Sequence, residues 1–174
     1  ESSAGCNTLI SSREGEIHRI TPRRNDLVND SWMPDSGREL YKTVSADDRL
    51  PKPLVDQEAS SLEDALQVAI QSLAGKKVGV VGSCRSSLEE QFLLNRLAKG
   101  LKAKKYLRGH FGEDDGILLS SDRTPNLRGA LVSGFASTYP KDNLSTLSQA
   151  LKKGQLEALL VVGEDLVASK VDPD

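Results

Sequence analysis

Val78-Gly79-Val80-Val81-Gly82-Ser83-Cys84-Arg85-Ser86-Ser87-Leu88-Glu89-Glu90 lies at the heart of Lys76–Leu101, a stretch that reads as a strand, a tight turn and a helix. Val78–Val81 is short, β-branched and uncharged, the pattern of a strand covered on both faces. Gly82-Ser83-Cys84-Arg85 breaks it. Ser86 and Ser87 each have a glutamate three residues on, Glu89 and Glu90, so a capping box is available in two registers. Leu88, Phe92, Leu93, Leu97 and Leu101 then recur at helical spacing, and the helix 87–101 is expected to build the core with the strand. Such a strand, turn and capped helix opens an α/β unit. It puts the turn at the carboxyl end of the strand, where ligands usually sit.

Outward from that stretch, Ser61–Leu73 reads as a helix with Leu62, Leu66, Ala69, Ile70 and Leu73 on one face, ended by Gly75. Lys104–Leu107 is a second strand candidate. Gly109–Asp115 is a polar loop and Ile117–Leu119 a short apolar run. Thr124-Pro125 is suited to start a helix that runs toward Phe135. Asn143–Lys152 is a helix with Leu144, Leu147 and Leu151 on one face, closed by Gly154, and Ala158–Val162 is another apolar strand. Strands alternating with helices argue for a doubly wound, mainly parallel sheet.

Toward the N-terminus the pattern changes. Thr8–Ser12 and Glu16–Thr21 flank Arg13-Glu14-Gly15 and predict a β-hairpin, with the uneven spacing of Ile17 and Ile20 allowing a bulge. Asn29–Asp35 is a loop, and Arg38–Val44 a short helix capped by Asp35 or Ser36. Ser45–Ser60, with Pro51 and Pro53, is an extended connector. The expected division is a small β-rich module with its connector, 1–58, and an α/β segment, 59–174.

The 174 residues are 37% hydrophobic but only 4% aromatic, so the core is aliphatic. The net charge of −2 and the lack of a basic stripe interleaved with aromatics argue against nucleic acid as a partner. The lysines of Lys99–Arg108 are read as a solvated helix end. No apolar run approaches the length of a membrane span. The two cysteines, Cys6 and Cys84, cannot build a disulfide framework. The polar ends suggest a piece cut from a longer protein.

Candidate chemistry is sparse. The turn Gly82, Ser83, Arg85 offers backbone amides and a cation to a phosphate, without G-x-G-x-x-G or a P-loop. Cys84 beside Arg85 at a helix start is placed for a lowered thiol pKa, but no histidine or carboxylate is tied to it by spacing, and a structural cysteine is the plainer reading. His18 sits in a hairpin strand. His110 shares a loop with Glu113, Asp114 and Asp115, without metal-ligand spacing. No G-x-S-x-G elbow is present.

Six collinear pieces carry a family resemblance. They are Gly5-Cys6-Asn7 with the hairpin and Val28–Trp32; Arg49–Val55; Ser61–Leu66; Val78–Ser83 with Leu88-Glu89-Glu90; Ser121–Ala130; and Ala158–Asp165. Together they resemble the start of the molybdopterin oxidoreductase fold, and most of all the large iron–sulfur (G-type) subunit of NADH:quinone oxidoreductase, respiratory complex I. The resemblance implies an incomplete molybdopterin oxidoreductase-like fold and a part of the enzyme's peripheral arm, not catalytic by itself. It implies peripheral-arm subunits as partners, and a position on the cytoplasmic side of the inner membrane without insertion.

In cluster-bearing relatives the first module holds a 4Fe–4S cluster through C-x2-C-x3-C and a fourth cysteine, since four thiolates are needed. By the resemblance Cys6 matches the third ligand, Ser2 stands at the second, and Pro34 at the fourth. No cluster is therefore expected here, nor molybdenum, and the iron–sulfur clusters are expected elsewhere in the parent protein. Two other readings remain: a fragment of a catalytic molybdenum enzyme such as a formate dehydrogenase or nitrate reductase, and a stand-alone nucleotide-binding module.

Overall fold

The computed structural model describes residues 3–116, 120–139, 144–169 and 171. The chain divides into two compact units, Glu1–Pro53 with Phe111–Pro125, and Leu54–His110 with Asn126–Asp174. In the first unit, β1 (Thr8–Arg13) and β2 (Glu16–Pro22) form the predicted antiparallel hairpin. Its two-residue turn has Glu14 at φ 54° and Gly15 at φ 87°, the left-handed pair that matches strand twist. The register slips between Ser11 and Ser12, where the spacing of Ile17 and Ile20 allowed a bulge.

The first helix differs from its expected span. α1 covers Asp35–Glu39 and runs into a 3-10 turn, Leu40–Thr43. Pro34, not Asp35 or Ser36, is the N-cap, and no side chain caps it. Proline's fixed φ, here −62°, sets the entry, and Asp35 instead lies in the first turn, 3.4 Å from Arg38.

The second unit opens within the expected connector. β3 (Leu54–Val55) and β4 (Glu58–Ala59) pair across Asp56 and Gln57, both at positive φ. No glycine marks that turn. α2 (Leu62–Leu73) is capped by Ser61, whose Oγ accepts the Asp64 N–H at 3.1 Å. β5 (Val78–Ser83) is buried along its whole length. α3 (Leu88–Gly100) uses the second of the two capping registers: Ser87 Oγ accepts the Glu90 N–H and Glu90 Oε2 accepts the Ser87 N–H at 2.7 Å, while Ser86 is buried.

β6 (Lys104–Arg108), α4 (Leu127–Val132), α5 (Leu144–Lys152) and β7 (Ala158–Val161) complete the described elements. α4 begins after Pro125 because Asn126 supplies the cap, its Oδ1 accepting the Gly129 N–H, and it stops short of Phe135, with Gly134 at φ 71°. Ile117–Leu119 and Asn143 lie outside the described residues.

The sheet order is β6-β5-β7, all parallel, with Val81 opposite both Tyr106 and Val161. Val78, Val80, Leu94, Ala98, Leu127, Ala130 and Phe135 form one core cluster. Val81, Tyr106, Leu144, Leu147 and Ala150 form another. Helices thus cover the sheet in two layers. Gly79 and Gly82 leave room for neighbouring side chains: a Cβ at Gly79 would meet Leu159 Cδ2, from the adjacent strand β7, at 2.7 Å, and one at Gly82 would meet Phe135 Cε1, from the segment after α4, at 2.9 Å.

Two helices present a different face from the one their spacing predicts. α3 buries Gln91, Leu94, Asn95 and Ala98, and leaves Leu88, Phe92, Leu93 and Leu97 exposed. Leu62, Leu66 and Ile70 of α2 are exposed as well, and only Leu73 of its predicted stripe packs against the core. Hydrogen bonds fix the rotation of α3. Gln91 Nε2 donates to Ser86 O at 3.0 Å and Asn126 O at 3.1 Å, and Asn95 Nδ2 donates to Ser133 O at 2.8 Å. Turning the leucines inward would strand these amides.

Two outcomes follow for stability. Leu147 is fully buried, so Leu147→Ala lowers the unfolding free energy by about 3 kcal/mol, measured by chemical denaturation. Ser87→Ala removes the α3 capping box and costs about 1 kcal/mol in the same assay.

Candidate functional site

Two places answer to the sequence expectations, one in each unit. In the first, Cys6 is half-buried and Pro34 begins α1; Ser2 lies outside the described residues. The residue that ties this region together is Asn29, which the sequence shows only as part of a loop. It is 8% exposed. Its Oδ1 accepts the Asn7 N–H at 3.1 Å, and its Nδ2 donates to Trp32 O at 2.9 Å and Arg23 O at 3.3 Å. Arg23 N–H also donates to Asn7 O at 2.9 Å. One amide therefore cross-links the segment after Cys6, the end of the hairpin and the loop before Pro34.

The loop itself is closed by reciprocal backbone bonds between Asn25 and Asp30, both 2.8 Å, and by Asn25 Oδ1, which accepts the Leu27 N–H. It holds Leu27 and Trp32 outward, 96% and 61% exposed. His18 lies exposed on β2.

A 4Fe–4S cluster needs four thiolates, and the chain as a whole has two, Cys6 and Cys84. Cys84 belongs to the second unit, fully buried in the core at the end of β5. This donor set does not fit the cluster. Among the described residues, no group of three or more His, Cys, Asp or Glu is disposed to hold a metal ion.

The second place is the carboxyl end of β5. Ser83 Oγ donates to Glu164 Oε1 at 2.5 Å and accepts the Arg85 N–H at 3.0 Å. His110 Nε2 donates to both oxygens of Glu164, at 3.1 and 3.0 Å. The Glu164 side chain is 3% exposed. His110, which the sequence groups with Glu113, Asp114 and Asp115, is thus paired to a residue after β7. Asp114 is engaged locally with the Gly116 N–H, and Glu113 O accepts from Arg123.

Cys84 is not at a helix start. α3 begins four residues later, and Cys84 is a strand-end junction whose N–H donates to Arg108 O and whose carbonyl accepts the Asn126 N–H.

This geometry bears on the nucleotide turn. Ser83, Arg85 and the Gly82 backbone do stand at the strand end, but the turn's donors are committed. Besides Cys84 and Arg85, the Ser86 N–H goes to Ser83 O, and the Ser87 and Glu90 amides close the capping box. A helix N-terminus draws an anion through unsatisfied N–H groups and its dipole. Here the first turn already carries Glu89 and Glu90, and a buried carboxylate lies beside Ser83. The lining of a nearby cavity of about 370 Å³, along Lys105–Leu107 and the 134–138 turn, includes none of these residues. Glu164 follows an apolar strand in Gly163-Glu164-Asp165, the one sequence signal that could have singled it out.

Residues 2–42 match the family model described as NADH-ubiquinone oxidoreductase NDSU1/NuoG-like, 4Fe-4S domain. The chain is 40% identical over 165 residues to the G-type subunit of the Pseudomonas fluorescens NADH-quinone oxidoreductase, a match covering 94% of this chain and 16% of the relative. It is 38% identical over 96 residues to the same subunit of Pseudomonas putida, covering 55% of this chain and 11% of that one. To NADH-quinone oxidoreductase subunit 3 of Thermus thermophilus it is 33% identical over 105 residues, covering 56% and 13%. The chain therefore spans less than a fifth of the length of these relatives. With residues 2–42 matched by one model and nearly its whole length by one relative, it belongs, as a segment, to the NuoG-like subunit family of NADH-quinone oxidoreductases.

Proposed function

We propose that this segment is a cluster-free scaffold within the peripheral arm of an NADH:quinone oxidoreductase. The parent complex transfers electrons from NADH to quinone; its iron–sulfur clusters lie elsewhere in the parent protein, and this segment turns over nothing by itself. It comprises a degenerate iron–sulfur module with its connector, 1–58, and a Rossmann-like segment, 59–174, of a molybdopterin oxidoreductase-like domain. It sits on the cytoplasmic side of the inner membrane, against other peripheral-arm subunits.

The observation that carries this reading is that residues 1–58 hold one thiol, Cys6, while the Asn29 amide cross-links the segments around it. By the resemblance, Ser2 and Pro34 stand at two of the four positions where a cluster would need thiolates. The segments a cluster would bridge are instead joined by hydrogen bonds of Asn29. At the end of β5, Glu164 and the capped α3 start support the companion reading, that the pterin-nucleotide shelf of Gly82, Ser83 and Arg85 holds no ligand. The catalytic molybdenum-enzyme reading has no matching observation here.

Iron and acid-labile sulfide analysis after anaerobic reconstitution tests the proposal. The expected result is substoichiometric iron; about four iron atoms per chain would sink it. A second measurement tests the amide cross-link. Asn29→Ala strands the Asn7 N–H and two carbonyls, and is expected to lower the stability of the first unit by about 2 kcal/mol, read as faster amide exchange over residues 5–32.

A further inference from the structure

The rotation of α3 leaves a surface that the isolated segment does not use. Along its outer side Leu88, Phe92, Leu93 and Leu97 are between 42% and 59% exposed, while the inner side carries two carboxamides. A surface helix ordinarily shows the reverse. The inner polar contacts rule out a simple roll, since Asn95 Oδ1 also accepts from Lys105 Nζ at 3.0 Å, and Lys105 is held in turn by Gly134 O at 2.8 Å. Arg96 lies over the Phe92 ring at 6.0 Å, and Phe92 remains 49% exposed beside the three exposed leucines. α2 repeats the pattern in the same unit, with Leu62, Leu66 and Ile70 all more than half exposed.

We propose that the outer face of α3 is an internal docking surface of the longer subunit, covered by an apolar segment of the same polypeptide that lies outside these 174 residues. This rests on the chain being a segment of the NuoG-like family, and two observations choose the occupant. The relatives carry most of their length beyond the matched region, 84% in the Pseudomonas fluorescens protein. The sheet beneath α3 has three described strands, all parallel, with β6 and β7 at its edges. Parallel strands are joined by crossovers through the layer of helices, so the next elements of such a layer come from the same chain. A second copy or another subunit would have to compete with a segment already tethered at high effective concentration.

The test is made in the intact subunit within the assembled complex. Phe92 is replaced by a benzophenone-bearing phenylalanine, the complex is irradiated, and the cross-linked peptides are mapped. The expected partner is a peptide of the same subunit outside this segment, with unchanged subunit stoichiometry. In parallel, Leu93→Cys is expected to react with a maleimide about tenfold or more slowly in the complex than in the denatured protein, since a covered site reacts only through local opening. Cross-links to another subunit or to a second copy overturn the proposal, and so does fast labelling at position 93 without any cross-link. Iron content is not touched by either readout, so a failure here is separable from a failure of the cluster-free reading.

Discussion

The six buried residues of β5 are the constraint on which the second unit depends. Both neighbouring strands pair to it, and both core clusters contain its valines. A strand covered on both faces tolerates no charge and little bulk, and Val78–Ser83 has neither. The two glycines are as much a part of this as the valines. Where they stand, Leu159 of the adjacent strand and Phe135 occupy the space a Cβ would need, so these side chains pack against bare backbone. The sequence around the strand is therefore restricted for packing reasons alone, and a Gly/Ser turn at its end does not by itself speak for a ligand.

The polar inner side of α3 is the second determinant. Gln91 joins the turn after β5 to the start of α4, and Asn95 joins α3 to β6 through Lys105 and to the turn after α4 directly. Burial, and next the charge of Lys99, push the Lys105 ammonium pKa below its usual range. Its two oxygen acceptors and the Phe135 ring 5.7 Å away compensate that cost. A network of this kind specifies one rotation of the helix, which apolar contacts alone leave less sharply defined. It also explains why a leucine stripe can point outward without the helix turning over.

What was legible in the sequence is what local chemistry decides. The hairpin, its Glu14-Gly15 turn and bulge, the strands that begin at Val78 and Ala158, and the Ser87 cap all follow from neighbours within a few residues. The rotation of α3 and α2 did not follow, because periodicity identifies an apolar face but not what lies against it. Asp56-Gln57 turns a hairpin without glycine or proline, and so leaves no mark in the composition. Asn29 and Glu164 were illegible for another reason. Each acts on partners distant in sequence, Asn7 for one, Ser83 and His110 for the other. A single asparagine in a loop reads only as turn chemistry until the fold brings those partners together.

The two units differ in what holds them. Every described apolar side chain that is buried lies in the second unit, and Asn29 and Thr124 are the buried residues of the first. A module of this size without an apolar core ordinarily needs a staple, such as a metal or disulfides. Four thiolates around iron would be one; the 174 residues contain two cysteines, one of them in the other unit. Asn29 links the same three segments, but a hydrogen bond contributes only about 1 kcal/mol net, far less than covalent or metal cross-links. Local bonds can therefore define the geometry of the first unit without supplying much of its stability. The remainder has to come from what the unit is attached to or packed against, and its exposed Leu27 and Trp32 are the kind of side chains such contacts use. A unit held mainly by local hydrogen bonds and carrying exposed apolar side chains is in this sense a part whose stability depends on its surroundings.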